Sequence, residues 1–237
     1  MPSLTLPQRM TALVNKPLLT LDEWQSKQAL AAVGLPIPAG NTGTAEEVAV
    51  IAERLGYPVV VKAVGAAFMH KSDLGAVLIN LDNRDAVDDA VEQIIKSCNS
   101  HGMQAKRFLV ERMIEAPLAE LIVGIKRDEQ FGPALVIGSG GVLVELLADS
   151  ASLLLPVTRD ELRMAIGSLA VSKLISGFRG RPKGDIDALL DAVLAIVAYA
   201  EMNWDSLLEL DVNPLMVLPE GFGVVAADAL IVLQQNS

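Results

Sequence analysis

The sequence predicts an α+β fold made of two lobes. In the first half of the chain, two helical patterns precede the order strand, strand, helix, strand, whereas strand patterns dominate the second half and two helical patterns interrupt them. The 237 residues are 51% hydrophobic and 20% charged, which is typical of a globular protein with a substantial core. Only 4% are aromatic, so the core is expected to be aliphatic.

The first predicted lobe spans residues 18–115 and follows an arm at residues 1–17 that has no clear hydrophobic period. Its first helix is predicted from Leu21 to Val33, where Thr20 or Asp22 can cap the first turn. The capping box at 44–47 predicts a second helix that ends at Gly56. The remaining elements of this lobe are predicted as strands at 59–64, 76–81 and 107–111 and a helix at 85–98.

The second predicted lobe spans residues 116–237, because the pattern becomes rich in strands after Met113. A turn is predicted at 128–132 and a glycine-rich loop at 139–141. The strands of this lobe are predicted at 119–126, 133–138, 142–147, 206–211 and 223–228, and its helices at 158–170 and 185–202.

Charge and cysteine content exclude several classes of protein. The net charge is −10 and the strongest basic cluster, residues 179–183, is short, so nucleic acid is not an expected partner. Cys98 is the single cysteine, which rules out an intramolecular disulfide and favours a reducing, cytoplasmic location. No run of 18 uncharged apolar residues exists, so we expect no association with a membrane.

Two common phosphate-binding motifs are absent. No glycine-rich stretch ends in Gly-Lys-Ser or Gly-Lys-Thr, and the cluster at 138–141 lacks the dinucleotide spacing because position 143 is Leu. The glycines of this cluster allow its backbone to approach a ligand closely. A tight hairpin turn is an equally good interpretation of the same residues.

Lys62 stands inside an apolar strand pattern, Val-Val-Val-Lys-Ala-Val. Burial of a lysine is costly unless its ammonium group meets an anion, so one interpretation is a ligand for the phosphates of a nucleotide. The alternative is a lysine whose head reaches solvent from the end of the strand.

His70 is one of two histidines and lies in a polar loop that Gly75 closes. An imidazole in such a loop can serve as a base, a metal ligand or a phosphoryl acceptor, and Asp73 could orient it. A histidine on a surface loop is the alternative. His101 lies in a polar linker and receives no predicted role.

Oxygen-bearing side chains recur at every second position in Glu209, Asp211 and Asn213. Period two places them on one face of a strand, and oxygen donors on one face suit Mg²⁺. Asp228 can join them if the strands around 219–221 form a hairpin. A half-exposed edge strand is the alternative interpretation.

Eight segments, taken in order, resemble one known family over about residues 18–234. That family comprises the ATP-grasp (β) subunits of ADP-forming acyl-CoA synthetases, the acetate–CoA ligases related to succinyl-CoA synthetase. One departure is visible, because the family usually has Gly-Gly where this chain has Gly75-Ala76. The segments that carry the resemblance are 56–62, 70–75, 109–113, 120–128, 131–133, 138–141, 177–180 and 209–214.

The resemblance implies an ATP-grasp fold with ATP between the two lobes. Lys62 would bind the phosphates, and the stretch formed by Glu111, Arg112 and Met113 would line the adenine pocket as the hinge between the lobes. Glu120 would reach the ribose. Gly140 and Gly141 would complete the implied site, because glycine allows the backbone to approach the nucleotide closely.

The resemblance also implies a mechanism. Asn213 and Asp228 would hold Mg²⁺, His70 would carry the phosphoryl group, and Asp211 would steady the charged phosphohistidine. The implied net reaction converts an acid, CoA and ATP into acyl-CoA, ADP and phosphate. Because the chain is too short for the CoA-binding and ligase lobes, the resemblance implies a separate α subunit in an α2β2-like assembly.

Two other functions stay open at the level of sequence. One is a stand-alone ATP-grasp ligase that joins a carboxylate to an amine without a phosphohistidine. The other is a regulatory module that senses ATP or ADP and transfers nothing.

Overall fold

The structure, a computed structural model, describes residues 17–65, 74–128, 130–140 and 149–235. The strands are β1 (Leu18–Leu21), β2 (Gly40–Gly43), β3 (Val59–Val64), β4 (Val77–Leu81), β5 (Arg107–Arg112), β6 (Ala119–Asp128), β7 (Gly132–Ser139), β8 (Ser150–Leu154), β9 (Leu207–Val217), β10 (Val224–Ala226) and β11 (Ala229–Gln234). The helices are α1 (Glu23–Ala31), α2 (Ala45–Leu55), α3 (Arg84–Ser100), α4 (Arg159–Ser168), α5 (Ser172–Ile175) and α6 (Ile186–Met202).

Within the described residues the strands form two antiparallel sheets. The large sheet has the order β1-β11-β9-β6-β7-β8, and β10 also pairs with β9. The small sheet has the order β2-β5-β3-β4. Two sheets, each covered by helices, agree with the α+β class that the sequence predicts.

Each sheet has its own aliphatic core. The small sheet packs on α2 and α3 through fully buried residues such as Val61, Ile94 and Phe108. The large sheet packs on α1, α4, α5 and α6, and Ile196 and Leu210 are typical of its core. These two separate clusters explain how a chain with few aromatic residues builds a stable interior.

The N-terminal elements pack with the large sheet although they precede the small one in the chain. β1 pairs with β11, and Leu30 of α1 is buried in the core of the large sheet. Residues 18–37 were predicted to belong to the first lobe, whereas in the structure their strand and helix join the second. The predicted domain boundary at 115/116 therefore stays a prediction, and the core contacts favour moving this segment across it.

Local hydrogen bonds confirm the predicted helix starts. The backbone N–H of Thr44 donates to Glu47 Oε2 at 2.8 Å, as a capping box requires. At the start of α1 the cap is Asp22, whose carboxylate accepts the N–H of Gln25 at 2.9 Å. Thr20 belongs to β1 instead.

Several strands differ from the sequence prediction. β1, β2, β8 and β11 were not predicted, whereas the strand predicted at 142–147 lies outside the described residues. The strand predicted at 206–211 continues to Val217 as β9. It passes Pro214 because the β6–β9 register shifts there, from Val123 opposite Val212 to Leu121 opposite Leu215, and a bulge tolerates a residue that cannot donate to the ladder.

No helix among the described residues is long and apolar enough to cross a bilayer.

We expect Phe108→Ala to lower the free energy of unfolding by about 3–5 kcal/mol, because it leaves a cavity in the core of the small sheet. Urea denaturation followed by circular dichroism measures this loss. The matched control is Phe222→Ala, since Phe222 is 75% exposed and its removal should change stability by less than about 0.5 kcal/mol. Equal losses in both variants would contradict the assignment of this core.

Candidate active site between the two sheets

A cavity of about 240 Å³ lies between the two sheets. Its walls come from β3, β4 and the end of β5 on one side, and from β9 and residues 227–228 on the other. The apolar part of the lining consists of Pro38, Val60, Val77, Ile79, Ile114, Pro214 and Met216. The predicted site residues in the lining are Lys62, Glu111, Arg112, Met113, Asn213 and Asp228.

The structure therefore brings most of the predicted site residues to one cavity. Asp211 and Glu120 lie on β9 and β6 and are not part of this lining. Gly140 follows β7 and is also outside the lining. His70 and Gly141 lie outside the described residues, so their predicted roles stay predictions.

Lys62 does not reach solvent from the end of its strand, as one interpretation of the sequence proposed. Every residue of β3 is buried, and the Lys62 side chain is 9% exposed. Its Nζ donates to Glu23 Oε1 at 2.6 Å and to the Ala227 carbonyl at 2.7 Å, and lies 3.1 Å from Glu111 Oε2. The buried ammonium group therefore meets anions of the protein itself at the edge of the cavity.

A second lysine completes this arrangement. Lys27 Nζ donates to Glu23 Oε1 at 2.7 Å, to Glu111 Oε1 at 2.5 Å and to the Ala227 carbonyl at 3.1 Å. We call Glu23, Lys27, Lys62 and Glu111 the charge quartet. Its side chains are at most 9% exposed, and α1 brings its first pair to the small sheet, which supplies the second pair.

Glu23 and Lys27 are not among the site residues predicted from the sequence. A Glu and a Lys four residues apart on a helix are usually a solvent-exposed pair, so their spacing alone does not indicate burial. The available signal was the weak amphipathicity of α1, whose buried face carries Glu23, Ser26 and Lys27 beside Leu30.

The two lysines of the quartet respond differently to their surroundings. Burial lowers the pKa of Lys62, but the attraction of the two glutamates and Asp228 outweighs it, and this pKa lies above its ordinary value. For Lys27 burial is again the largest effect, and together with the repulsion of Lys62 it holds the pKa below the ordinary value.

The segment between the sheets is fixed by its backbone. Arg112 N–H donates to the Ala39 carbonyl at 2.9 Å, and Met113 N–H donates to the Pro58 carbonyl at 3.0 Å. Met113 and Ile114 thus present an apolar surface to the cavity, opposite Met216. An apolar surface beside a cation is an arrangement that fits a nucleotide base and its phosphates.

Asn213 and Asp228 meet at the bulge of β9. The Asn213 N–H donates to the Asp228 carbonyl at 3.2 Å, and both residues line the cavity. The predicted hairpin forms through β9 and β10, and Asp228 follows it immediately before β11. An amide oxygen and a carboxylate are hard donors that fit Mg²⁺ bound jointly with phosphate oxygens.

Asp211 shares a face of β9 with Glu209 and Asn213, as period two predicts, whereas Leu210 and Val212 are buried in the core. Burial, and then the charges of Glu209 and Asp228, raise the pKa of Asp211 to about 6. Gly124 faces it across the ladder, and a Cβ there would lie 3.6 Å from Asp211 Oδ1.

Gly140 makes a close backbone contact, as the glycine-rich sequence predicted, but the contact is with another part of the protein backbone. Its N–H donates to the Glu120 carbonyl at 2.6 Å. A Cβ at this position would lie 2.8 Å from the carbonyl carbon and oxygen of Glu120. The contact explains the need for glycine, and contact of Gly140 or Glu120 with a nucleotide stays a prediction.

Comparison with known proteins agrees with this architecture. Residues 13–233 match the ATP-grasp domain family. The β subunit of acetate–CoA ligase [ADP-forming] II from Pyrococcus furiosus is 33% identical over 215 residues, which cover 90% of this chain and 91% of that one. The acetate–CoA ligase [ADP-forming] I of Archaeoglobus fulgidus is 37% identical over 199 residues, but this match spans only 29% of that longer chain.

Solved structures give the same result. A structure of acetyl-coenzyme A synthetase 1 from Ca. Korarchaeum cryptofilum, in complex with coenzyme A and Ca-AMPCP, superposes with a TM-score of 0.85. The two chains are 31% identical, and the match covers 97% of this chain and 98% of the Korarchaeum chain. This chain belongs to the ATP-grasp family, among the β subunits of ADP-forming acetate–CoA ligases. The predicted fold, family and enzyme class, a ligase, are thereby confirmed.

We expect Gly140→Ala to lower the free energy of unfolding by about 1–3 kcal/mol, because the new methyl group overlaps the Glu120 backbone. The control is Gly167→Ala in α4, where a Cβ meets no atom within 4 Å and helix propensity improves by up to about 1 kcal/mol. Urea denaturation of both variants measures the difference. A neutral Gly140→Ala would contradict the close contact.

Proposed function

We propose that this chain binds ATP in the cavity between the two sheets and transfers its γ-phosphoryl group to His70. The observation that carries the proposal is the cavity itself, which joins an apolar slot, the ammonium group of Lys62 and the oxygens of Asn213 and Asp228. These are the groups that a base, a polyphosphate and its cation require.

In this proposal the adenine lies against Met113 and Ile114, and Glu111 and Arg112 line the same end of the cavity. Lys62 contacts the phosphates, and Glu120 contacts the ribose. Gly140 and Gly141 bring backbone close to the nucleotide. Phosphoryl transfer depends on positioning and charge neutralisation, and Lys62 supplies a positive charge at a buried site where electrostatic interactions are strong.

Asn213 and Asp228 would hold Mg²⁺, which supplies charge neutralisation on the phosphate oxygens when bound. Both residues already line the cavity. We also propose that ADP is the product of the transfer and that Mg²⁺ is the cation bound with the nucleotide.

The transfer forms a bond between an imidazole nitrogen of His70 and the γ-phosphorus while the bond from that phosphorus to the β–γ bridging oxygen breaks. ADP leaves with the bond electrons, and the other ring nitrogen keeps its proton. Asp211 steadies the resulting charged ring. In a Korarchaeum relative bound to Mg-AMPPCP, 30% identical with a TM-score of 0.77, a phosphohistidine segment points towards the nucleotide binding site.

The net reaction in this proposal joins a carboxylic acid to CoA at the expense of ATP, giving acyl-CoA, ADP and phosphate. Relatives of this chain carry such names, among them acetate–CoA ligase and 4-hydroxybutyrate–CoA ligase. The identity of the acid is left open, because in this proposal the acid is recognised on a partner chain.

We propose that the CoA-binding and ligase lobes belong to a partner chain. Names that designate β subunits imply a separate α subunit, and in longer relatives the matching region is about a third of one chain. We propose an α2β2-like assembly with a CoA-binding α subunit. A cytoplasmic location is proposed from the single cysteine.

Incubation of the full chain with γ-labelled ATP and Mg²⁺ tests the phosphoryl transfer. We expect an acid-labile, base-stable label on the wild-type chain and its loss in His70→Ala. His101→Ala is the matched control, because it removes the other histidine of the sequence. His101 is exposed at the end of α3, and its Nδ1 lies at hydrogen-bond distance from the Ser97 carbonyl. This control should be labelled like the wild type.

The outcomes separate the alternatives. A chain that binds ATP but takes up no label contradicts the proposal and favours a stand-alone carboxylate–amine ligase or a nucleotide sensor. Label that persists in His70→Ala would place the acceptor on another residue and would also contradict it.

We expect Asp228→Asn to raise the Mg²⁺ concentration for half-maximal labelling by about tenfold or more, because a neutral amide binds a hard cation more weakly. A Mg²⁺ titration at fixed ATP concentration measures this change. Asp205→Asn, at an exposed position, is the control and should leave the titration unchanged. An unchanged midpoint in Asp228→Asn would exclude this carboxylate as a ligand.

A further inference from the structure

Lys27 lies behind the wall of the candidate active site and does not contact the cavity. Its side chain is fully buried, and it is not part of the cavity lining. The three N–H groups of its ammonium match three acceptors, on Glu23, Glu111 and Ala227, at 2.5–3.1 Å. Lys27 therefore acts on a ligand only through its neighbours.

Those neighbours include the groups that reach the cavity. Glu23 Oε1 accepts from both lysines, and Glu111 directs one oxygen to Lys27 and the other towards Lys62. The Ala227 carbonyl accepts from both ammonium groups at the break between β10 and β11. Lys27 therefore shares all three of its partners with the cavity-lining Lys62.

The formal charges of the quartet sum to zero, with two ammonium groups and two carboxylates. If Lys27 were neutral, Lys62 alone would compensate two buried carboxylates, and the site would carry a net negative charge towards a polyphosphate. If Glu23 were neutral, the net charge would be positive and Lys62 would be held by one carboxylate fewer. Loss of charge at 27 and at 23 thus has opposite consequences for an anion in the cavity.

We propose that Glu23 and Lys27 are positioning residues of the nucleotide site. Through their contacts with Lys62 and Glu111 they set how strongly the Lys62 ammonium group binds a phosphate. Lys27 compensates Glu111 when Lys62 turns to a phosphate oxygen, and Glu23 holds the Lys62 ammonium group at the wall of the cavity. This inference rests on the proposed function, because it takes a nucleoside diphosphate or triphosphate as the ligand.

Isothermal titration of the full chain with ADP and with adenosine tests the inference. We expect Lys27→Met to weaken ADP binding by about tenfold, Glu23→Gln to tighten it, and the double variant to return to within about threefold of the wild type. Adenosine, which has no phosphate, should bind all variants with equal affinity. Lys96→Met, which removes an exposed lysine of α3, is the matched control for loss of one positive charge.

A purely structural role gives a different pattern. Weaker ADP binding in both single variants, no recovery in the double variant, or parallel loss of adenosine binding would each overturn the inference. If Lys27→Met fails to fold, Glu23→Gln and the double variant decide, since weaker ADP binding in Glu23→Gln, or binding more than about threefold weaker in the double variant, contradicts the inference. A wild-type chain that binds no ADP would instead refute the proposed function.

Discussion

Four charged side chains buried together at the junction of the two sheets constrain the rest of this structure. Removing an ion from water costs several kcal/mol, so a buried ion is tolerated only with partners at hydrogen-bond distance. Here the partners come from α1, from β3 and β5 of the small sheet, and from the strand break at Ala227. Only when all four elements are in place do all of these charges have their partners, and the geometry of the cavity wall follows from that requirement.

The same requirement links the fold to the chemistry. Lys62 is held at the wall of the cavity by protein carboxylates, so its ammonium group is in position before a ligand arrives. On the opposite wall the bulge of β9 places Asn213 beside Asp228 while the flanking residues Val212 and Leu215 remain in the core. One irregularity in a ladder thus brings polar oxygens to the cavity without exposing the core.

Much of this architecture was predictable from the sequence, where local pattern and final environment agree. Runs such as Val59–Val64 and capping residues such as Thr44 define their elements without help from the rest of the chain. The lone lysine within a buried run pointed to the cavity for the same reason, because a charge in an apolar strand needs a counter-charge. Period two on β9 correctly placed Asp211 and Asn213 on one face.

The features that were missed depend on distant partners. β2 has the sequence Gly-Asn-Thr-Gly, which has little strand propensity, and it is a strand because β5 pairs with it. Glu23 and Lys27 look like a surface pair until β3 and β5 cover them.

The position of α1 has a mechanical consequence. Because this helix belongs to the large sheet, the chain crosses to the small sheet near Ala39 and returns near Arg112, and a hydrogen bond of 2.9 Å joins the two crossings. Glu111, which carries the quartet's contact from β5, directly precedes Arg112 at the second crossing. The covalent links between the sheets and the buried ion pairs therefore share one junction, so a change that displaces either crossing also disturbs the anchorage of Lys62.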